Sequence, residues 1–178
     1  MMTNMYFQVC SFFYMLMIVI LFFSKKRIKN EETENFAILS IVNMIGILLD
    51  IIIVYLSYVT PGHTILYILN KFYLLYIVLW TAIFYIYIVL ITVKKEYKKK
   101  MYMLTILLTT VTTILIFVLP IYLYNKDNVM YTYGMSVTNV YVTELFFVIM
   151  IICTVAVNIK NIFTKKYIPL ISLIILCI

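Results

Sequence analysis

The chain has 178 residues, of which 66% are hydrophobic and 12% charged, with a mean hydropathy of +1.10. Soluble domains are roughly 45–50% apolar, and a protein this small has too little interior to hide the excess, which excludes a soluble globular fold and a disordered chain alike. The net charge of +7 does not indicate nucleic acid, because the basic residues form short clusters between apolar runs, where they orient helices at a membrane face.

The composition therefore specifies an all-α polytopic membrane protein, and its 3 Gly and 3 Pro leave room only for short connectors. A span needs about 20 predominantly apolar residues. Such runs are predicted at Tyr6–Phe23, Phe36–Tyr58, Leu66–Val93, Met101–Tyr124 and Ser136–Ile159. A sixth begins at Tyr167 and is still apolar at Ile178. These 12 residues would rise about 18 Å, short of the ~30 Å hydrocarbon core. The expectation is a helical bundle of five full spans and a truncated sixth, forming one membrane region over 1–178 of a parent protein that continues.

The connectors set the orientation. Lys25, Lys26, Arg27 and Lys29 follow the first run; Lys94, Lys95, Lys98, Lys99 and Lys100 follow the third; Lys160, Lys165 and Lys166 follow the fifth. The alternate connectors, 59–65 and 125–135, hold Lys126 alone. By the positive-inside rule the N-terminus is predicted outside. The first run is a retained helix and no signal peptide: its positive cluster follows the apolar stretch, and no small-residue cleavage site is visible.

Two carboxylates fall within spans, Asp50 and Glu144. An ionisable group in hydrocarbon costs at least ~2.5–3.5 kcal/mol, so each must face a partner or water. Asn43, Gly46 and Asp50 share a helix face, since seven residues turn through about 700°. Gly46 lets a neighbouring helix approach between the two polar groups. This face is open to two readings, an interhelical hydrogen-bonded seam or a ligand or proton site. By depth, Asp50 and Glu144 both fall in the outer half of the bilayer, where Lys71 also enters. Asn43, Asp50, Lys71 and Glu144 are thus the candidate sensing or ligand-binding residues, with the two acids and the lysine predicted to form an ion-paired pocket. Lys71 has a second reading, snorkelling to the outer interface.

Other polar and aromatic features read as packing. Tyr73, Tyr76, Trp80, Phe84 and Tyr87 form a stripe at helical spacing. Thr105, Thr109, Thr112 and Thr113 lie on one side of the fourth run, where threonines bond to their own helix or a neighbour. Pro120 should kink that helix near its outer end. Tyr58, Tyr67, Tyr122, Tyr124 and Tyr167 fit interfacial belts. Cys10, Cys153 and Cys177 sit in apolar runs as small lipid- or helix-facing residues, neither disulfide partners nor zinc ligands. No catalytic set, metal-spaced cluster or Gly-rich phosphate loop is present in the sequence.

Several stretches carry a family likeness. Cys10-Ser-Phe-Phe-Tyr-Met-Leu, Phe22-Phe-Ser-Lys-Lys-Arg-Ile-Lys-Asn, Glu34-Asn-Phe and Ile41-Val-Asn-Met-Ile-Gly-Ile-Leu-Leu-Asp50 resemble the N-terminal membrane region of Firmicute-type sensor histidine kinases. Asn70-Lys-Phe-Tyr-Leu-Leu-Tyr-Ile-Val-Leu-Trp80 with Phe84-Tyr-Ile-Tyr extends the likeness over about the first hundred residues. The resemblance implies a multi-span, N-out sensor in a bacterial plasma membrane, a homodimer, and a missing cytoplasmic kinase domain. That domain would use ATP and Mg and act on a response regulator. Starting outside, a seventh span would be needed to bring it into the cytoplasm. The single histidine, His63, lies in an outer turn and cannot be the phosphoacceptor. Two alternatives stay open: the membrane sensor of a diguanylate cyclase, or a small membrane transporter component. The second is disfavoured by the scarcity of small residues, three Ala and three Gly, because close helix packing in transporters relies on them.

Overall fold

The computed structural model describes residues 6–24, 30–60, 63–126 and 129–158. The sixth run, Cys177, Tyr167 and the basic clusters at 25–29 and 160–166 lie outside the described residues. Five helices are long and apolar enough to cross a membrane: α1 (Tyr6–Ser24), α2 (Glu31–Val59), α3 (Thr64–Thr92), α4 (Lys95–Val118) and α5 (Met135–Val157). Between α4 and α5 lies a β-hairpin of β1 (Tyr122–Lys126) and β2 (Val129–Tyr133).

The helix starts follow from capping chemistry. Asn30 Oδ1 accepts from the Thr33 amide at 2.8 Å and from Thr33 Oγ1 at 2.7 Å, and Glu31, Glu32 and Glu34 occupy the first turn of α2. An acceptor at the N-cap and acids beside the positive end of the helix dipole both stabilise this start, so α2 begins five residues before the predicted apolar run. His63 caps α3 in the same way, its Nδ1 accepting from the Ile65 amide at 3.4 Å. That assigns the single histidine a structural role.

The predicted fourth span, Met101–Tyr124, is displaced. The helix begins inside the lysine cluster, at Lys95, and stops at Val118. Pro120 does not kink α4 but ends it. A proline drives the preceding residue out of the helical region, and Leu119 is extended, with φ −77° and ψ 147°. Tyr122 and Tyr124 then belong to a strand, paired as Tyr122↔Tyr133 and Tyr124↔Tyr131. Their rings stack across the hairpin on one exposed face, with centroids 5.3 Å apart in each pair.

α3 is the axis of the bundle. Between Leu66 and Thr92 it buries more residues than any other helix, with α2 along one flank and α4 and α5 along the other. Toward the hairpin, Leu74 and Val78 pack with Ile116 of α4 and Val137 and Val140 of α5. Toward the lysine-rich α3–α4 connector, Ala82, Tyr85, Ile88 and Val89 pack with Phe147 and Ile151 of α5. α1 lies against α2 and buries Phe22 alone among its described side chains, so most of its surface faces outward. Cys10 and Cys153 are exposed free thiols on such outward faces.

The aromatic stripe of α3 is indeed a packing face. Gly46 of α2 receives the ring of Tyr76, and a Cβ at this position would collide with that ring. Tyr76 donates its hydroxyl to Asn43 Oδ1 at 3.0 Å, Phe36 meets Tyr87, and Trp80 stacks on Phe84 with centroids 5.5 Å apart. Threonines join the other flank, where Thr112 and Thr143 share a hydrogen bond of 3.0 Å between α4 and α5.

Candidate functional site

A cavity of about 530 Å³ opens between α2 and α5, on the side of α3 away from α4. It lies at the hairpin end of the bundle, opposite the lysine-rich connector. Asp50, Ser57 and Tyr58 come from α2, Asn70 and Tyr73 from α3, Tyr141 and Glu144 from α5. Gln8 of α1 and Tyr131 and Thr132 of β2 complete the polar lining, while Ile53, Leu74 and Val140 are among its apolar walls.

Helical spacing aims these groups inward. On α5, Val137, Val140, Tyr141 and Glu144 recur at three and four residues, which places them on one face. On α2, Asp50, Ile53, Val54 and Ser57 repeat the pattern. Glu144 is fixed from the α3 side, because Thr81 Oγ1 donates to its Oε1 at 2.7 Å. The Gln8 side chain of α1 lies within hydrogen-bonding reach of the Asp50 carboxyl. Asn70 braces the mouth of the cavity. Its amide donates to Leu66 O at 2.8 Å, and its Oδ1 accepts from Thr132 Oγ1 of the hairpin at 2.8 Å.

The four candidate residues separate into three places. Asp50 and Glu144 line the one cavity, as the depth argument anticipates. Asn43 does not reach it: its amide nitrogen approaches Met15 Sδ at 3.4 Å, and its oxygen is taken by Tyr76. Asn43 and Gly46 are thus the interhelical seam, while Asp50, a turn further along the same face, belongs to the cavity.

Lys71 also stands elsewhere, which corrects the expected ion-paired pocket. Its Nζ donates to Phe117 O at 2.7 Å and Leu119 O at 3.1 Å. These carbonyls are orphaned where Pro120 ends α4, and a cation is favoured at a helix C-terminus. Ser136 completes that end, its Oγ donating to Ile116 O at 3.2 Å and its amide to Pro120 O at 3.4 Å. Four bare carbonyl groups outcompete two distant carboxylates for the available donors.

The result is a cavity with acids on two walls and no base. Among the described residues lining it, none carries a positive charge. Nor do three His, Cys, Asp or Glu side chains converge anywhere among the described residues as a metal site would require. Sequence reasoning overlooks Gln8, Thr81 and Tyr141. Gln8 was detectable as the strongest hydrogen-bonding residue of an otherwise apolar first run. The threonine and the tyrosine carry no signal beyond their helical spacing.

The chain matches no known family model, no curated protein and no solved structure.

Proposed function

We propose that the chain is the sensory membrane region of a two-component histidine kinase, seated in a bacterial plasma membrane with its N-terminus outside. The observation that carries this reading is the cavity between α2 and α5 with its polar lining. With the N-terminus outside, it opens toward the exterior, where a signal arrives, and the lysine cluster at the start of α4 lies at the other end of the bundle, on the cytoplasmic side. The connectors near its mouth are too short for a separate extracellular ligand-binding domain, so recognition falls to the helices themselves.

A receptor must convert occupancy into a change of helix packing. The cavity suits that task because its walls come from α1, α2, α3, α5 and the hairpin, so whatever fills it biases several helix contacts at once. In the full receptor two copies pair, and a cytoplasmic kinase domain uses ATP and Mg to phosphorylate itself and then a response regulator.

Sequencing the coding DNA beyond Ile178 tests the proposal. The expected result is one further complete span, then a helix bearing a phosphoacceptor histidine and an ATP-binding domain. A cyclase domain there would replace the kinase output and keep the receptor. A stop codon within a few residues would overturn the receptor reading.

A further inference from the structure

We infer that the cavity between α2 and α5 binds a protonated organic amine, held between the carboxyl groups of Asp50 and Glu144. The inference rests on the receptor reading and names the ligand class of the same site.

Three observations converge on this ligand. The first is charge: two acids line one cavity and no cation among its described lining residues answers them, while Lys71 is committed to the end of α4. In a low-dielectric surround such acids call for a positive charge from outside the protein. The second is a hydrogen-bond vacancy. The Gln8 side chain lies within hydrogen-bonding reach of Asp50, yet its Oε1 is buried and has no partner. A buried acceptor without a donor is destabilising, and an N–H group of a ligand beside Asp50 would supply the missing donor. The third is the wall. Tyr73, Tyr131 and Tyr141 stand round the cavity with Ile53, Leu74 and Val140 between them. Aromatic faces attract an ammonium group, and an apolar wall accepts the hydrocarbon body attached to it.

A bare inorganic cation fits less well. Hard metal ions take six or more oxygens at about 2.0–2.6 Å, whereas the described lining of this cavity of about 530 Å³ holds two carboxylates. That volume suits a small organic molecule.

The test uses the chain in discs of zwitterionic lipid, with 2-(1-naphthyl)ethylamine as probe and fluorescence anisotropy as the readout. Empty discs provide the correction for partitioning into lipid. The expected result is saturable binding of one amine per chain. The matching alcohol, 2-(1-naphthyl)ethanol, should bind at least about tenfold more weakly. Asp50→Asn or Glu144→Gln should each weaken the amine about tenfold, and the double variant should abolish saturable binding. These variants keep size and hydrogen-bonding oxygens, so helical content and monodispersity should match the parent chain. Absence of saturable binding overturns the inference, as does binding of the alcohol as tight as that of the amine. Indifference of the amine to the double substitution does so too. The comparison of amine with alcohol on the unaltered chain stands even where a variant misfolds. Loss of amine binding with a kinase domain encoded downstream would leave the receptor reading intact and remove this ligand class alone.

Discussion

Lys71 Nζ sits 2.7 Å from Phe117 O, so a lysine near one end of α3 serves as the C-terminal cap of α4. Lys98 does the reciprocal service at the opposite end of the bundle, donating to Leu90 O of α3 at 2.6 Å. The two lysines therefore lock α3 and the helices beside it at both ends, and neither is free to neutralise an acid in the cavity.

Replacing Lys71 with Met should expose the last turn of α4 while leaving the cavity intact. Hydrogen bonds to charged groups are each worth about 1.5–3 kcal/mol, so a loss of roughly 2 kcal/mol in unfolding free energy is expected. Hydrogen exchange should quicken at Leu119, whose amide bonds to Leu115 O. Affinity for the naphthyl amine should not fall, which separates this arrangement from an ion-paired pocket.

Gly46→Ala should push the Tyr76 ring off α2 and break its hydrogen bond to Asn43. Overpacking of this kind costs about 1–3 kcal/mol. Shortening the ring in the double variant Gly46→Ala with Tyr76→Leu should recover part of the loss. A double-mutant cycle on reversible unfolding in mixed micelles measures the coupling.

Gly134 holds φ 127° where β2 enters α5, and a Cβ there would stand 2.8 Å from Pro120 O. Side chains rarely adopt this conformation, and the strain is worth of order 1–3 kcal/mol. Gly134→Ala should lower the thermal midpoint and loosen the hairpin, seen as faster exchange of the β1 and β2 amides. Substituting an exposed residue such as Val142 with Ala should leave both nearly unchanged.

Thr112 and Thr143 offer a smaller effect. Their shared hydrogen bond joins α4 to α5 within the packed interior. Interhelical hydrogen bonds in membranes average about 0.6 kcal/mol by double-mutant cycles. Val at both positions preserves shape, so a coupling energy near that size is expected.

Much of the architecture was legible because apolar run length maps directly onto span length. α1, α3 and α5 lie within two residues of their predicted bounds at every end the structure describes. The difference falls at 119–124, where Pro120, Tyr122 and Tyr124 sit at the end of the apolar run Met101–Tyr124 but belong to a helix stop and a strand. Leu119 and Pro120 mark a helix end, and Tyr122, Tyr124, Tyr131 and Tyr133 flanking Asn125-Lys126-Asp127-Asn128 have the period of a hairpin. In a mostly apolar sequence, hydropathy alone does not distinguish period two from a helical period.

The site was half legible for a related reason. The depth of Asp50 and Glu144 followed from their positions along helices of opposed direction. Rotation about each helix axis did not, because the partner across a helix interface is a tertiary fact. Thus Asn43 and Asp50, nearly in line on α2, meet different neighbours: Tyr76 for the one, Gln8 for the other. Lys71 departs from the expected ion pair because the orphaned carbonyls at the end of α4 attract a cation as opposite charges do.

The sparse burial of α1 has a mechanical corollary. Gln8 reaches the cavity near one end of the helix, and Phe22, its buried residue, meets Phe36 of α2 near the other, with ring centroids 5.0 Å apart. About 21 Å of stiff helix separates them, and between them Met15 Sδ accepts from the Asn43 amide of α2. The arrangement is that of a rod laid along one neighbour: a push at the Gln8 tip is carried through the face shared with α2 to the aromatic joint at its foot.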